Sequence, residues 1–182
     1  MDLEKQLLAD LSKGNVQFVS NVILNDLNLL DKLWNIITSS PAPLPMRAAW
    51  TMQQIIEEFP ELLNKYYSRL VPQIEKCPDD STRKVLMKMI ILTELKEKHI
   101  NKLYDICYRY FLDAKRSLAV RAYSLEILYK ISLKYPELSN EVLLLLDLIT
   151  EEDAPALQAK QRLLRKSIFK NITRNEKQNH SN

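Results

Sequence analysis

The sequence predicts an all-α solenoid of about four helix pairs behind an N-terminal helical cap, and three observations predict it. The 182 residues include a single glycine, Gly14, whereas average usage would supply roughly a dozen. Apolar residues recur at helical spacing from end to end, without the sustained alternation that marks strands. A basic residue near the start of every second helix recurs with a period of roughly 38 residues, which is typical of α-solenoids.

The composition is that of a globular protein, with 46% hydrophobic and 27% charged residues. A chain of this length buries enough surface to fold without a disulfide or a structural metal. The scarcity of glycine argues against sheet-rich folds, dinucleotide-binding turns and phosphate-binding loops, all of which use glycine at fixed positions. We predict one helical-repeat domain over residues 1–172 and a disordered polar tail over residues 173–182, which contain no apolar side chain.

The N-terminal part of the chain predicts three short helices and a loop. An apolar stripe from Leu3 to Leu11 predicts the first helix, which we expect to end at Gly14. Further stripes over residues 16–23 and 27–37 predict the next two. Residues 39–45 include three prolines and predict a loop, because proline lacks an N–H group and disfavours the α conformation in the residue before it.

Seven further helices complete the prediction, and they pair into repeats. Their ranges are 46–59, 61–75, 82–96, 100–112, 118–133, 137–149 and 156–172. Two nearly identical helix starts, Phe59-Pro60-Glu61-Leu62 and Tyr135-Pro136-Glu137-Leu138, are separated by twice the period of the basic residues. Two helices per repeat of this length indicate an α-solenoid.

The chain resembles HEAT or armadillo-type repeats over about residues 26–172. Val120-Arg121-Ala122 opens the second helix of a pair, and the preceding turn carries Asp113. The chain differs from the family pattern in its proline-rich loop at 41–45 and in lacking a regular proline in each first helix. The resemblance implies a right-handed α-α superhelix whose concave side binds other macromolecules. It therefore implies a non-enzymatic scaffold that binds a protein partner.

Four basic residues carry the repeat spacing, each about one period from the next. They are Arg47, Arg83, Arg121 and Lys160. On one interpretation they form a basic ladder that meets an acidic ligand or a phosphate chain. On the other, each residue braces an acid in its own inter-helix turn. Arg83 then pairs with Asp79 or Asp80, Arg121 with Asp113, and Lys160 with Asp153.

The C-terminal segment is strongly basic. From Pro155 to Asn182, seven basic residues stand against one acidic residue, a net charge of +6, whereas residues 1–154 carry −3. A last helix with this outer face serves as a cap for the array. The alternative function is nucleic-acid binding by the ladder and this helix. The candidate partner-binding residues are Arg47, Arg83, Arg121, Lys160, Arg162, Arg165 and Lys166.

Several apolar and aromatic stripes are interpreted as core. Leu157, Leu164 and Ile168 are expected to face inward on the last helix. Spacing of i, i+4, i+7 predicts that Tyr104, Tyr108 and Phe111 are buried, and both tryptophans, Trp34 and Trp50, lie on apolar stripes. Residues 142–149 are apolar almost all round, which predicts a helix either buried in the array or covered by a second copy in a homodimer.

The residues that carry chemistry in enzymes are sparse. Cys77 and Cys107, with His99 and His180, show no zinc-ligand spacing and form no catalytic set with a serine or an acid. We therefore predict no metal, no cofactor and no catalysis. The N-terminus lacks a secretory pattern, and the longest uncharged run, residues 33–46, is shorter than the roughly 20 residues that span a bilayer. These features predict a cytoplasmic protein without a membrane partner.

Overall fold

The computed structural model describes residues 2–179 and the side chains of residues 2–174. It confirms the all-α fold class, since every regular element within the described residues is helical. Across the same residues, no helix has the length and hydrophobicity needed to cross a bilayer. The chain divides into two compact units, Met1–Glu94 and Leu95–Asn182.

Within its described residues, the first unit contains six α-helices. They are α1 (Leu3–Ala9), α2 (Lys13–Asn25), α3 (Asn28–Ser39), α4 (Leu44–Glu58), α5 (Tyr67–Lys76) and α6 (Asp80–Leu92), with a 3-10 helix over Pro60–Lys65. Helix α4 packs against α1, α2, α3 and α6. Its side chains Ala48, Ala49 and Met52 are fully buried, and the two alanines let neighbouring helices approach closely. The core of this unit therefore surrounds α4.

Capping side chains set several helix boundaries differently from the prediction. Ser12 accepts a hydrogen bond from the Asn15 N–H group and starts α2. Gly14 consequently lies in the first turn of α2, without a positive φ, and does not end α1. The predicted loop is also shorter, because α4 begins at Leu44 and holds Pro45 in its first turn, where a missing N–H group costs nothing.

Two predicted helices of the first unit are interrupted or shorter. The helix predicted over residues 61–75 is split, because the Tyr66 N–H group donates to Leu63 O and closes a 3-10 turn before α5 begins. The helix predicted to reach residue 96 ends at Leu92. There the Thr93 hydroxyl donates to Met89 O, a local bond that competes with the helical pattern.

The described part of the second unit contains four α-helices and two short 3-10 helices. They are α7 (Ile100–Leu112), α8 (Leu118–Lys134), α9 (Ser139–Asp147) and α10 (Pro155–Asn179), with 3-10 turns at Glu97–His99 and Pro136–Leu138. Helix α8 packs against α7, α9 and α10. Leu157, Leu164 and Ile168 of α10 are buried, which confirms the inward face predicted for the last helix.

Helix α10 extends past the predicted domain end at residue 172 and continues to Asn179. The predicted disordered tail, 173–182, therefore overlaps the end of this helix, and residues 180–182 lie outside the described part of the chain. The single repeat domain over residues 1–172 and the polar tail remain predictions. The structure itself divides the chain into two compact units.

The aromatic predictions hold in part. Trp34 and Phe111 are buried, while Trp50 is half-buried. The prediction for Tyr108 is wrong, since 40% of this residue is exposed, and Tyr104 is only half-buried. Helix α7 turns a neighbouring stripe inward, namely Leu103, Ile106, Cys107, Tyr110 and Phe111. The buried stripe thus includes Tyr110 in place of Tyr108.

Candidate functional site

The seven predicted partner-binding residues divide between the two units. Arg47 and Arg83 lie in the first unit. The other five lie in the second, where Arg121 belongs to α8 and the rest to α10. Their surroundings separate them into internally bonded residues and exposed ones.

Arg83 is a brace between α5 and α6. Only 4% of its side chain is exposed, and its guanidinium pairs with Asp80, as the brace interpretation predicts. Its Nε donates to Ile74 O at 2.9 Å and its Nη2 donates to Cys77 O. These carbonyls lie at the C-terminal end of α5, where the helix supplies no donor and a positive charge is favourable.

Arg121 repeats this arrangement in the second unit. Its Nε donates to Phe111 O in the last turn of α7 at 3.1 Å, and its guanidinium lies 5.6 Å from the centre of the Phe111 ring. The acid that it meets is Asp153, with Nη1 3.6 Å from Oδ1. The predicted pairing with Asp113 is therefore corrected to Asp153, in the turn that precedes α10.

Arg47 also contacts the end of a helix. Its Nη1 donates to Leu7 O in the last turn of α1 at 3.0 Å. Its buried Nε makes no hydrogen bond to any described group. Arg47, Arg83 and Arg121 thus share one role, because each lies in an even-numbered helix and donates to carbonyls at the end of an earlier helix in its own unit.

In the last repeat this role belongs to Gln161, which sequence reasoning missed. Its Nε2 donates to Leu146 O at 2.6 Å and to Ile149 O at 3.1 Å, at the end of α9. The neighbouring Lys160 pairs with Glu126 of α8 at 2.7 Å, so its predicted pairing with Asp153 is wrong. Lys160 and Gln161 follow Arg121 by 39 and 40 residues, so both the repeat period and basicity favoured the residue one position too early.

The remaining basic residues of α10 lie near or on its outer face. Arg165 pairs with Asp147 of α9. Arg162 and Lys166 are exposed, and neither forms an ion pair within the described residues. Lys170, which was not among the predicted residues, is exposed in the same way. These three cations are therefore available to an external ligand, as is Arg174 near the end of the helix.

An aromatic and charged cluster lies on the first unit. Arg69 is exposed and stacks 5.5 Å from the Trp34 ring centre and 5.0 Å from that of Tyr66. The Tyr66 hydroxyl donates to Asp31 at 2.7 Å, and Lys65 pairs with the same carboxylate at 2.5 Å. Hydrogen bonds from Lys65 and Tyr66 lower the pKa of Asp31. Burial and the Asp31 carboxylate raise the pKa of Tyr66.

An acidic pocket of about 340 Å³ lies in the second unit, beside α7 and the end of α8. Its lining includes Asp105 and Glu137, with the rings of Tyr104 and Tyr135. The Tyr104 hydroxyl donates to Glu141, and burial followed by this bond raises the pKa of Tyr104. Carboxylates with aromatic faces suit a cation better than a phosphate group.

The thiols and the internal histidine are poorly suited to nucleophilic chemistry. Burial raises the pKa of both Cys77 and Cys107, so the thiols remain protonated near neutral pH. Burial, Lys98 and Lys102 lower the pKa of His99. Within the part of the chain that the structure describes, no three His, Cys, Asp or Glu side chains are grouped to hold a metal ion.

The family comparison agrees with this architecture. A family model of the HEAT repeat domain matches residues 3–172, nearly the whole chain and all seven predicted partner-binding residues. It confirms the resemblance to HEAT-type repeats that Val120-Arg121-Ala122 indicated. No curated protein and no solved structure shows significant similarity to the chain. The chain belongs to the HEAT repeat family.

Proposed function

We propose that this HEAT-repeat chain is a non-enzymatic scaffold that binds a protein partner through a concave face. The observation that carries the proposal is the family match over residues 3–172, because arrays of stacked helix pairs expose extended surfaces that bind other macromolecules. The protonated, buried thiols support a binding role over nucleophilic catalysis.

The internal bonds of the repeated basic residues argue against nucleic acid as the partner. A phosphate ladder needs cations that face solvent. Arg83 is buried, and Arg121 and Lys160 are already paired with Asp153 and Glu126. Binding a phosphate chain would require breaking these contacts, so the scaffold function accounts better for the geometry.

The experiment that tests the function is a titration of the full chain with labelled duplex DNA and single-stranded RNA. The ionic strength is set at about 50 mM and then at about 200 mM, a range over which phosphate-driven binding falls by several orders of magnitude. The proposal predicts no saturable binding at the higher salt concentration. Saturable binding to either nucleic acid with a steep salt dependence would contradict it and support the nucleic-acid alternative.

A further inference from the structure

The second unit carries an exposed face that combines apolar side chains with cations that form no ion pair within the described residues. Its members are Leu144 of α9, Leu148 directly after that helix, and Arg162, Lys166, Phe169 and Lys170 of α10, and we refer to it as the C-terminal basic face. The three apolar members are 67%, 57% and 52% exposed, in chain order. Exposed apolar side chains that lie together mark interaction sites more often than single ones do.

The helical register of α10 places its members of the face together. Arg162, Lys166 and Phe169 follow i, i+4, i+7 spacing, so they share one side of the helix. The buried Leu164 and Ile168 occupy the opposite side. The outer side of α10 is therefore continuously available from Arg162 to Lys170.

An ion pair holds the C-terminal end of α9, where Leu144 and Leu148 lie, against α10. Asp147 lies between Leu144 and Leu148 in sequence and pairs with Arg165 of α10. Phe169 lies one turn beyond Arg165 on α10, at i+4 spacing. The apolar members from the two helices thus flank the same inter-helix contact.

The three cations of the face differ from their neighbours on α10 in their ion pairs. Lys160 and Arg165, the neighbouring cations of α10, each pair with a carboxylate of another helix. Arg162, Lys166 and Lys170 form no such pair within the described residues. A ligand that brings its own carboxylates therefore meets positive charge that no internal pair neutralises.

We infer that the C-terminal basic face docks an acidic amphipathic helix of the protein partner. The inference rests on the proposed function, names its partner class and adds a contact on the outer side of α10 to the proposed concave face. Leucine or phenylalanine side chains of that helix would cover Leu144, Leu148 and Phe169, and its Asp or Glu side chains would meet the three cations. The two exposed leucines favour protein over nucleic acid, because aliphatic side chains neither neutralise phosphate groups nor stack on bases as aromatic side chains do.

The test uses the full chain and a synthetic helical peptide of about 20 residues. The peptide carries leucines at i, i+3, i+4, i+7 spacing and glutamates on the adjacent stripe. A control peptide has the same composition in scrambled order. We expect saturable binding of the patterned peptide by fluorescence anisotropy, and affinity for the scrambled peptide at least about tenfold weaker. Equal affinity for the two peptides, or no binding of either, would overturn the inference.

Three variants locate the binding site. Arg162→Glu/Lys166→Glu/Lys170→Glu reverses the cations, and Leu144→Ser/Leu148→Ser removes exposed apolar area. The matched control, Lys5→Glu/Lys13→Glu/Lys84→Glu, reverses three exposed lysines of the first unit. Each of the first two variants should weaken binding about tenfold or more, while the control should change it less than about threefold. Circular dichroism melting curves verify that each variant is folded.

Two further results separate this inference from the proposed function. If duplex DNA or vesicles of anionic lipid displace the patterned peptide as effectively as unlabelled peptide does, the face recognises negative charge in general and the inference is wrong. If the face variants leave peptide affinity unchanged, the inference also fails, while the nucleic-acid titration still decides the proposed function.

Discussion

Arg83 illustrates how the repeat spacing is used at the level of a residue. Its guanidinium is almost completely buried, and it bonds two carbonyls at the end of α5 together with Asp80. Arg121 makes the equivalent contact to Phe111 O, and Gln161 makes it to Leu146 O without a charge. The feature that repeats is therefore a side-chain hydrogen bond donated to a carbonyl at a helix C-terminus. A neutral amide such as that of Gln161 is sufficient for this bond.

Replacing Arg83 should be costly. Arg83→Met removes one ion-pair partner of Asp80 and one donor to each of two backbone carbonyls, and we expect a loss of about 3 kcal/mol in the free energy of unfolding. Urea denaturation measures it. The neighbouring Lys84→Met is the control, because Lys84 is exposed and should change stability by less than about 0.5 kcal/mol. Equal effects of the two substitutions would contradict the brace.

The bonds of Asp31 to Lys65 and Tyr66 predict that the stability of the folded chain depends on pH. Lys65 and Tyr66 lower the pKa of Asp31 in the folded chain. The stabilisation is therefore present above the ordinary carboxyl pKa, near 4, and is lost as the pH falls through the lowered value. In melting curves recorded between about pH 5 and pH 2, Asp31→Asn should lose less stability on acidification than the original chain. Identical acid dependence of both proteins would show that the cluster contributes nothing.

At the level of the element, the last helix shows how burial and exposure alternate along one sequence. Leu163 and Leu164 are neighbours, yet they are 60% and 4% exposed. The spacing of Leu157, Leu164 and Ile168 predicts the inward face of α10, because one periodic stripe packs against one neighbouring surface. Helix α10 therefore caps the second unit with a polar and basic outer side.

The adjacent leucines provide a matched pair of substitutions. Leu164→Ala removes buried methyl groups and leaves a cavity, so we expect a loss of about 3 kcal/mol in unfolding free energy. Leu163→Ala should change it by less than about 0.5 kcal/mol, since the side chain is largely in solvent already. Chemical denaturation of the two variants measures the difference. A larger effect at Leu163 would mean that the register of α10 is wrong.

The existence of most elements was predictable, whereas their interruptions and some partners were not. Apolar periodicity identifies a helix, but a local hydrogen bond decides its bounds, as the Ser12 cap does at the start of α2 and the bond to Leu63 O does before α5. Tyr108 was misplaced because two overlapping stripes on α7 both fit the helical period. The pattern selected Lys160 in place of Gln161 for the bond to the end of α9. A positive charge is visible in the sequence, whereas the direction in which a side chain donates is visible only in the structure.

At the scale of the whole molecule, the two units differ in charge. The first, residues 1–94, carries ten basic and twelve acidic side chains, and the second carries sixteen and eleven, which gives −2 and +5. The excess of positive charge on the second unit is concentrated in α10. Such a distribution favours an acidic partner and speeds its association at low ionic strength.

The inferred binding of a partner helix at the C-terminal end of α9 predicts that the chain is a monomer when no partner is present. Leu144 and Leu148 are exposed in the single chain, and the inferred occupant is a partner helix. We therefore expect light scattering to give the mass of one chain, 21.3 kDa, over a range of concentrations in the absence of partner. Twice that mass, reduced to one chain by Leu144→Ser/Leu148→Ser, would assign this face to a homodimer and contradict the inferred occupant.

The central claim is that the chain binds a protein. The most direct measurement is affinity capture from an extract of the source organism, performed in parallel with and without nuclease, followed by mass spectrometry. We expect a discrete protein that is retained after nuclease treatment and that binds the purified chain saturably. Loss of the captured material on nuclease treatment would contradict it and would indicate that nucleic acid is the ligand.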